Sequence, residues 1–474
     1  MRRAPASLLA LVVVALVGCG GDAPAPPGQG GSTVSATWRD TTGSGVLERS
    51  SGEPLVDRKD LDPSARGDGG AELARFGVVT DAHVRDEESP ARATFLDRLG
   101  GSYTSTFRPQ EALTTQVLAG ALRGLRSQRP RQIVETGDLI DNAQSDELDQ
   151  ALAVMRGGRV DPDSGAPGYA GVQAADDPDP FYYRPDVDPP LHPGLLDAAQ
   201  QPFTSPGTGV PWLPVLGNHD WLVAGVTPPT PALNDAATGG FALRDVDARE
   251  ALREVGPDTT DAAAIDRVIS GGLPGTRVAV PRDRSRRLLS REEVVTRLRE
   301  AARVPGTGDR LQYAGDLGPK VRLVVLDTEG GPVDTAWLTE QLREAGDRWV
   351  IVASHQPLPD AVLAELATHP RVVATLNGHT HRTSIEPYRP AGTRGFWRIV
   401  TPSLADWPQQ ARMISVRESA DGGVVISTWL VDPEGDGLVG TSRELANLDA
   451  QGGRPDGFAG THADRNARLY RAPA

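Results

Sequence analysis

Short apolar runs that end in polar, Gly- or His-containing turns recur along the chain from Leu73 onward. They are Phe76–Thr80, Ile133–Thr136, Trp212–Leu216, Val321–Leu326, Trp349–Ala353 and Val372–Leu376. Runs this short, closed by turn residues, read as buried strands. Between them the period changes. Leu113, Val117, Leu118, Leu122 and Leu125 form a helical stripe that opens near Pro109 and ends before Pro130. A second helix is predicted from Asp334, as its N-cap, through Trp337, Leu338 and Leu342 to Gly346. Alternating strands and helices predict an α/β sheet fold that delivers residues to the carboxyl ends of its strands. Phe396–Val400, Ile414–Val416 and Val424–Leu430 are also strand-like and are expected to complete a second sheet.

Two stretches interrupt the pattern and read as long insertions. Residues 156–210 are crowded with Pro, Asp and Gly, and residues 222–310 carry a helical, Arg-rich part from Leu288 to Arg303. Both flank polar clusters, so they are expected to wall a cleft, with surface elaboration as the alternative. The charged run Arg282–Arg291 reads as a solvated helix face. Residues 441–474 are polar and read as a loosely held tail.

The N-terminus reads as an address. Arg2 and Arg3 precede the apolar run Leu8–Val17, the pattern of a signal peptide over residues 1–18 and too short to span a bilayer. Leu16-Val17-Gly18-Cys19 resembles a bacterial lipobox, in which Cys19 becomes the lipidated first residue; an ordinary secretory peptide is the alternative. Arg2–Arg3 lacks the apolar pair that usually follows a twin arginine, which favours the general secretory route. Residues 19–70 then read as a flexible tether, although Trp38, Val46, Leu47, Leu55 and Val56 give part of it something to pack. The expected location is extracytoplasmic, on the bacterial membrane.

The chain has 474 residues, and 49 Lys and Arg against 63 Asp and Glu give a net charge of −14. Loss of residues 1–18, with two Arg and no acid, moves this to −16. Such an acidic chain is a poor binder of nucleic acid, whose affinity comes from Lys and Arg on phosphates. One Cys leaves neither an intrachain disulfide nor a Cys-rich zinc site, so any metal must be held by His, Asp, Glu or Asn.

Five of the eight His fall in ordered clusters at the predicted strand ends: Asp81-Ala-His83, Gly137-Asp138-Leu-Ile-Asp141, Gly217-Asn218-His219-Asp220, Ser354-His355-Gln356 and Gly378-His379-Thr-His381. Neutral imidazoles with carboxylates suit Fe, Mn or Zn and not Ca or Mg. Two cations close together repel, so a carboxylate has to lie between them.

In order and spacing the clusters resemble the signature of the calcineurin-like metallophosphoesterase superfamily over roughly Leu73–Leu430. The resemblance implies a four-layer αββα sandwich with the two insertions inside a 71–440 domain. It implies two metal ions: Asp81, His83 and His381 on the first, Asp138 bridging, and Asn218, His355 and His379 on the second. It also implies hydrolysis of a phosphodiester or phosphomonoester by a hydroxide bridging the metals. His219 would bind the phosphoryl group or protonate the leaving oxygen, Asp220 would orient His219, and Asp141 would position a ligand without binding metal. His83 is present where purple acid phosphatases lack it, and Ile140-Asp141-Asn142 offers no Tyr ligand, so the chain is nearer the cyclic-nucleotide phosphodiesterase branch. Two further readings stay open: a non-catalytic lipoprotein that uses the metals to bind phosphorylated cell-envelope polymers, and a hydrolase for a phosphosulfate or nucleoside polyphosphate. Substrate, metal identity and oligomeric state are not legible here.

Overall fold

The computed structural model describes residues 30–474 apart from 68, 93, 100–103, 248, 251–252, 254–274, 436 and 455–456. The signal-peptide reading and Cys19 lie outside the described residues. Two sheets dominate. The seven-stranded sheet runs, edge to edge, Val56–Leu61, Ala467–Arg471, Val424–Val431, Ala411–Glu418, Glu72–Val79, Gln132–Glu135 and Trp212–Pro214. The six-stranded sheet runs Tyr313–Gly318, Val321–Val325, Trp349–Ala353, Val372–Asn377, Phe396–Val400 and Ser384–Tyr388. In the first, Glu72–Val79, Gln132–Glu135 and Trp212–Pro214 are parallel; in the second, the four consecutive strands from Val321–Val325 to Phe396–Val400 are parallel.

Parallel neighbours need crossovers, and the predicted helices supply them. Thr114–Ser127 returns the chain from Glu72–Val79 to Gln132–Glu135. Thr335–Ala345, capped by Asp334, returns it from Val321–Val325 to Trp349–Ala353, and Asp360–Thr368 leads on to Val372–Asn377. The two-residue period of a strand sorts the side chains between layers. In Trp349–Ala353, Trp349, Ile351 and Ala353 join the core shared by both sheets. Val350 and Val352 turn outward onto Leu338, Leu342, Leu363 and Leu366 of the covering helices. On the other side Gly77 lets the helix Thr114–Ser127 settle onto its strand, since a Cβ there would lie 3.0 Å from Leu125 Cδ1. The sheets meet directly, with Tyr313 Oη donating to Pro214 O at 2.9 Å across them. The layers are therefore helix, sheet, sheet, helix, as expected.

Four expectations are corrected. The stretch 441–474 is not a loose tail: Gly437–Gln451 is a helix with Leu445, Ala446 and Asn447 buried, and Ala467–Arg471 is an interior strand. The tether does not extend to residue 70, because Ser32 and Thr33 are buried beside Leu430 and Val431, and Val56–Leu61 pairs parallel with Ala467–Arg471. Both segments lack strong apolar periodicity and depend on each other for cover. Of the three late strands only Phe396–Val400 joins the second sheet; Ala411–Glu418 and Val424–Val431 return to the first, antiparallel to Glu72–Val79. The run Arg282–Arg291 is solvated only in part: Arg282, Arg284 and Arg287 are exposed, and its helical part is the short turn Arg284–Arg286 before the helix that begins at Arg291. Arg286 is fully buried against Asp86, and Arg291 binds both oxygens of Asp327 while its guanidinium lies over Trp221.

Candidate metal centre

Every one of the five clusters sits just beyond the carboxyl end of a parallel strand. Asp81 and His83 follow Glu72–Val79, Asp138 and Asp141 follow Gln132–Glu135, and Asn218, His219 and Asp220 follow Trp212–Pro214. From the second sheet, His355 follows Trp349–Ala353, while His379 and His381 follow Val372–Asn377. The turns are tight. Asp81, His83, Asp138, His379 and His381 have φ of +48°, +44°, +55°, +65° and +56°, a left-handed conformation that costs an L-residue about 1–2 kcal/mol. Such strain persists where surrounding bonds over-determine it. Here Asp81 N donates to Gly137 O at 2.9 Å, His83 N to Asp138 O at 3.0 Å, and His379 N to Asp81 Oδ1 at 3.0 Å. Gly217 and Gly378 make room for the approach: a Cβ would lie 2.1 Å from Asp138 Oδ1 at the first and 2.0 Å from Thr80 Oγ1 at the second.

The ligand atoms converge in overlapping groups, each within 4.8 Å: Asp81, His83 and His381; Asp138, His355 and His379; and His83, Asp138 and His219. Asp138 lies between the first two groups. Its Oδ2 is 3.1 Å from His355 Nε2 and 3.9 Å from His83 Nε2. Asn218 Oδ1 is 3.1 Å from both His355 Nε2 and His379 Nδ1. In the first group His83 Nε2 faces His381 Nε2 at 3.1 Å, and the latter is 3.3 Å from Asp81 Oδ1. Both rings have their Nδ1 engaged by carboxylates, so their Nε2 atoms point inward as donors to a cation. The donor set, two imidazole-rich clusters sharing one carboxylate, fits a pair of transition-metal ions.

Charges in the cluster are poised for the same purpose. Burial and the neighbouring His219 pull His83 down to about 4. Burial and His355 likewise bring His379 to about 4. Burial would lower His381 too, but Asp81 and Asp406 prevail and raise it to about 9. Burial opposes ionisation of Asp138, yet His355 and His219 hold its carboxyl well below the usual range. A cation entering the first group therefore has to displace a proton from His381.

The neighbours of these rings divide the work differently from the expectation. Asp141 Oδ1 lies 2.8 Å from His83 Nδ1 and 3.2 Å from His219 Nδ1, and Asp141 O lies 3.0 Å from the same His219 nitrogen. Asp141 therefore orients His219 as well as His83. Asp220 does not do so: it accepts from the backbone N–H of Gly217, Asp138 and Ile140 at 2.7, 3.1 and 3.1 Å. Asp220 is buried and points into the protein, onto those three backbone groups. Sequence reasoning gave no role to Asp406, which binds His381 Nδ1 and takes both Nε and Nη2 of Arg108 at 2.5 and 3.0 Å. It also missed Glu147, whose carboxylate receives the N–H of Asp86, Asp141 and Asn142. Asp406 opens a stretch, Asp406-Trp407-Pro408-Gln409-Gln410, that resembles a segment of phosphodiesterase-like members but carries no stated role there, and Glu147 is marked only by the start of the helix Ser145–Arg156.

A cavity of about 230 Å³ opens on the cluster, with Thr104, Ser105, Arg108, Arg454 and Phe458 opposite the His and Asp side chains. Among the described residues neither insertion lines it; its far wall comes from the loop after residue 103 and from the C-terminal segment. Among the described residues the second insertion touches the site at its start. There Gly225 O accepts from Asn218 Nδ2 at 3.0 Å, and a Cβ at Gly225 would lie 2.3 Å from His219 Nε2.

This fold and this paired cluster define a two-metal hydrolase. The family described as calcineurin-like phosphoesterase matches residues 74–383, about two thirds of the chain. The chain belongs to that family and is a metal-dependent phosphoric ester hydrolase. No curated protein matches it. Among solved structures it is similar to a dimetal phosphatase from Danio rerio, at 14% identity and a TM-score of 0.40, covering 77% of this chain and 100% of the other. It is also similar to a purple acid phosphatase from yellow lupin seeds, at 10% identity and a TM-score of 0.35, covering 90% of this chain and 57% of the other.

Proposed function

We propose that this protein is a membrane-anchored, two-metal phosphoesterase. In this reading Asp81, His83 and His381 hold one ion, Asn218, His355 and His379 hold the other, and Asp138 holds both. The observation that carries it is the position of Asp138, whose carboxylate lies within reach of both clusters while its Oδ1 also accepts from His219 N at 2.8 Å. Two Fe, Mn or Zn ions in such a site lower the pKa of bound water and offset charge on phosphoryl oxygens. The chain's own residues do the rest. His219, held by Asp141, lines the cavity and offers Nε2 to the phosphoryl group or the leaving oxygen. Burial works against its protonation, but Asp138 and Asp141 raise its pKa above the ordinary imidazole value, which suits a general acid.

A phosphodiester is the favoured substrate class in this reading, supported by the resemblance of His83, and of the Tyr-free stretch at Asp141, to the cyclic-nucleotide phosphodiesterase branch. The wall across the cavity, with Arg108, Arg454 and Phe458, supports an ester group that is both polar and flat. Cys19 would tether the enzyme outside the cytoplasmic membrane. The test is turnover of a chromogenic phosphodiester and monoester with Mn, Fe or Zn, joined to metal analysis. Two ions per chain and diester turnover are expected; no turnover of either ester with any metal overturns the reading. Cys19→Ala is expected to move the protein from the membrane to the soluble fraction.

A further inference from the structure

The first of the two clusters is backed by a buried network of ion pairs, and among the described residues the second has no such network. His83 Nδ1 rests on Asp141, whose Oδ2 forms an ion pair with Arg85 Nε at 2.8 Å. His381 Nδ1 rests on Asp406, which is clamped by Arg108. Both arms converge on one carboxylate. Glu111 Oε2 accepts from Arg85 Nη1 at 2.7 Å, from the backbone N–H of Arg108 at 3.1 Å, and from Arg92 Nη2 at 2.7 Å. Gln110 beside it donates to Ala405 O at 2.9 Å, which ties the same turn to the loop carrying Asp406. All these side chains are buried, and three guanidiniums balance three carboxylates. In the second cluster His355 Nδ1 meets a backbone carbonyl, Thr136 O, at 2.8 Å.

We infer that Glu111 is a positioning residue for the first metal ion, fixing the rings of His83 and His381 together through the Arg85–Asp141 and Arg108–Asp406 arms. This rests on the ligand assignment proposed above. A carboxylate behind an imidazole fixes the ring and makes it a stronger donor, and loss of such a partner commonly weakens metal affinity 10–100-fold. Glu111 touches no ligand itself, yet it is the charged group that accepts from both arms, beside the backbone carbonyl of Ser105, which takes Arg85 Nη2 at 3.4 Å and Arg108 Nη1 at 2.9 Å. Removing its charge leaves Arg85 and Arg92 without their common carboxylate and frees the turn that aims Arg108. Arg85 can then turn away from Asp141, and the two rings no longer move as a unit. The second cluster, anchored on backbone, is untouched.

The experiment is calorimetric titration of metal-stripped full-length protein with Mn²⁺ alone. The wild type is expected to bind two ions in two steps, and Asp81→Asn identifies the step that belongs to the first cluster. Glu111→Gln should weaken that step about 10-fold or more and leave the other unchanged. Arg412→Met, which removes an equally buried guanidinium from the sheet, should lower Tm and leave both steps alone. Fewer than two ions in the wild type overturns the ligand assignment instead. Two ions in the wild type with both steps weakened equally by Glu111→Gln, or neither, overturns the role of Glu111. Should Glu111→Gln not fold, Arg108→Lys keeps the charge but loses the fork on Asp406. It must weaken the same step, and an unchanged isotherm overturns the inference.

Discussion

The Nδ1 of His219 lies 3.2 Å from Oδ1 of Asp141, although the two residues are 78 positions apart and Asp220 is the adjacent acid in the chain. The same Asp141 oxygen holds His83, so one carboxylate sets both a candidate ligand and the candidate acid. His219→Ala is therefore expected to lower kcat by about 10²–10⁴-fold while two ions remain bound. Asp141→Asn should lower kcat and loosen metal together. Metal analysis beside steady-state kinetics checks both, and equal metal loss in His219→Ala and Asp138→Ala would show that His219 is a ligand.

Asp220 makes a different prediction. Its two oxygens satisfy three buried N–H groups on two loops, and each orphaned donor costs about 1–3 kcal/mol. Asp220→Ala is expected to act on the fold first, with a lower Tm in metal-stripped protein. A variant with unchanged Tm and reduced kcat would restore Asp220 to a direct part in catalysis.

Gly378 is expected to tolerate no side chain. A Cβ would lie 2.0 Å from Thr80 Oγ1 and 2.6 Å from Asp81 Oδ2, between the two strands that present Asp81 and His379. Gly378→Ala should leave far-ultraviolet circular dichroism intact and lower the bound metal below two ions per chain. Full metal content in this variant refutes the close-approach argument.

The C-terminal wall of the cavity should respond to pH. Arg454 is held by Asp97 and Asp449, whose carboxyls are raised to about 6 and about 7, in each case chiefly by burial. An acid whose folded pKa exceeds its unfolded value keeps its proton in the fold after the unfolded chain has lost it. Stability therefore falls as pH rises from about 4 to about 7, then levels. Asp449→Asn removes one of these titrations, so it is expected to flatten the fall of Tm across that window in metal-stripped protein. A slope identical to the wild type's rejects this.

The motif side chains were legible because each is tied to a local signal: a short apolar run sets a strand, and the turn after it puts Asp, Asn or His at the strand's carboxyl end. The helices behind the strands were legible for the same reason, through the period of Leu113 to Leu125 and the Asp334 cap. The terminal segments were not. Val56–Leu61 and Ala467–Arg471 alternate charged and apolar residues weakly, and they become strands because each offers the other a hydrogen-bonding edge and a covered face.

The sequence alone determined which residues could bind metal and on which strand ends they stand, because spacing along a strand and turn is a local property. The tertiary structure alone decided that Asp406 backs His381 across 25 residues and that Arg108 reaches Asp406 across 298. It also decided that Glu111 joins both arms, and that among the described residues the cavity's far wall comes from Arg454 and Phe458 and not from the insertions. A buried ion pair between distant positions leaves no periodicity in the chain, since its partners are chosen by how two sheets pack and not by what lies next to them.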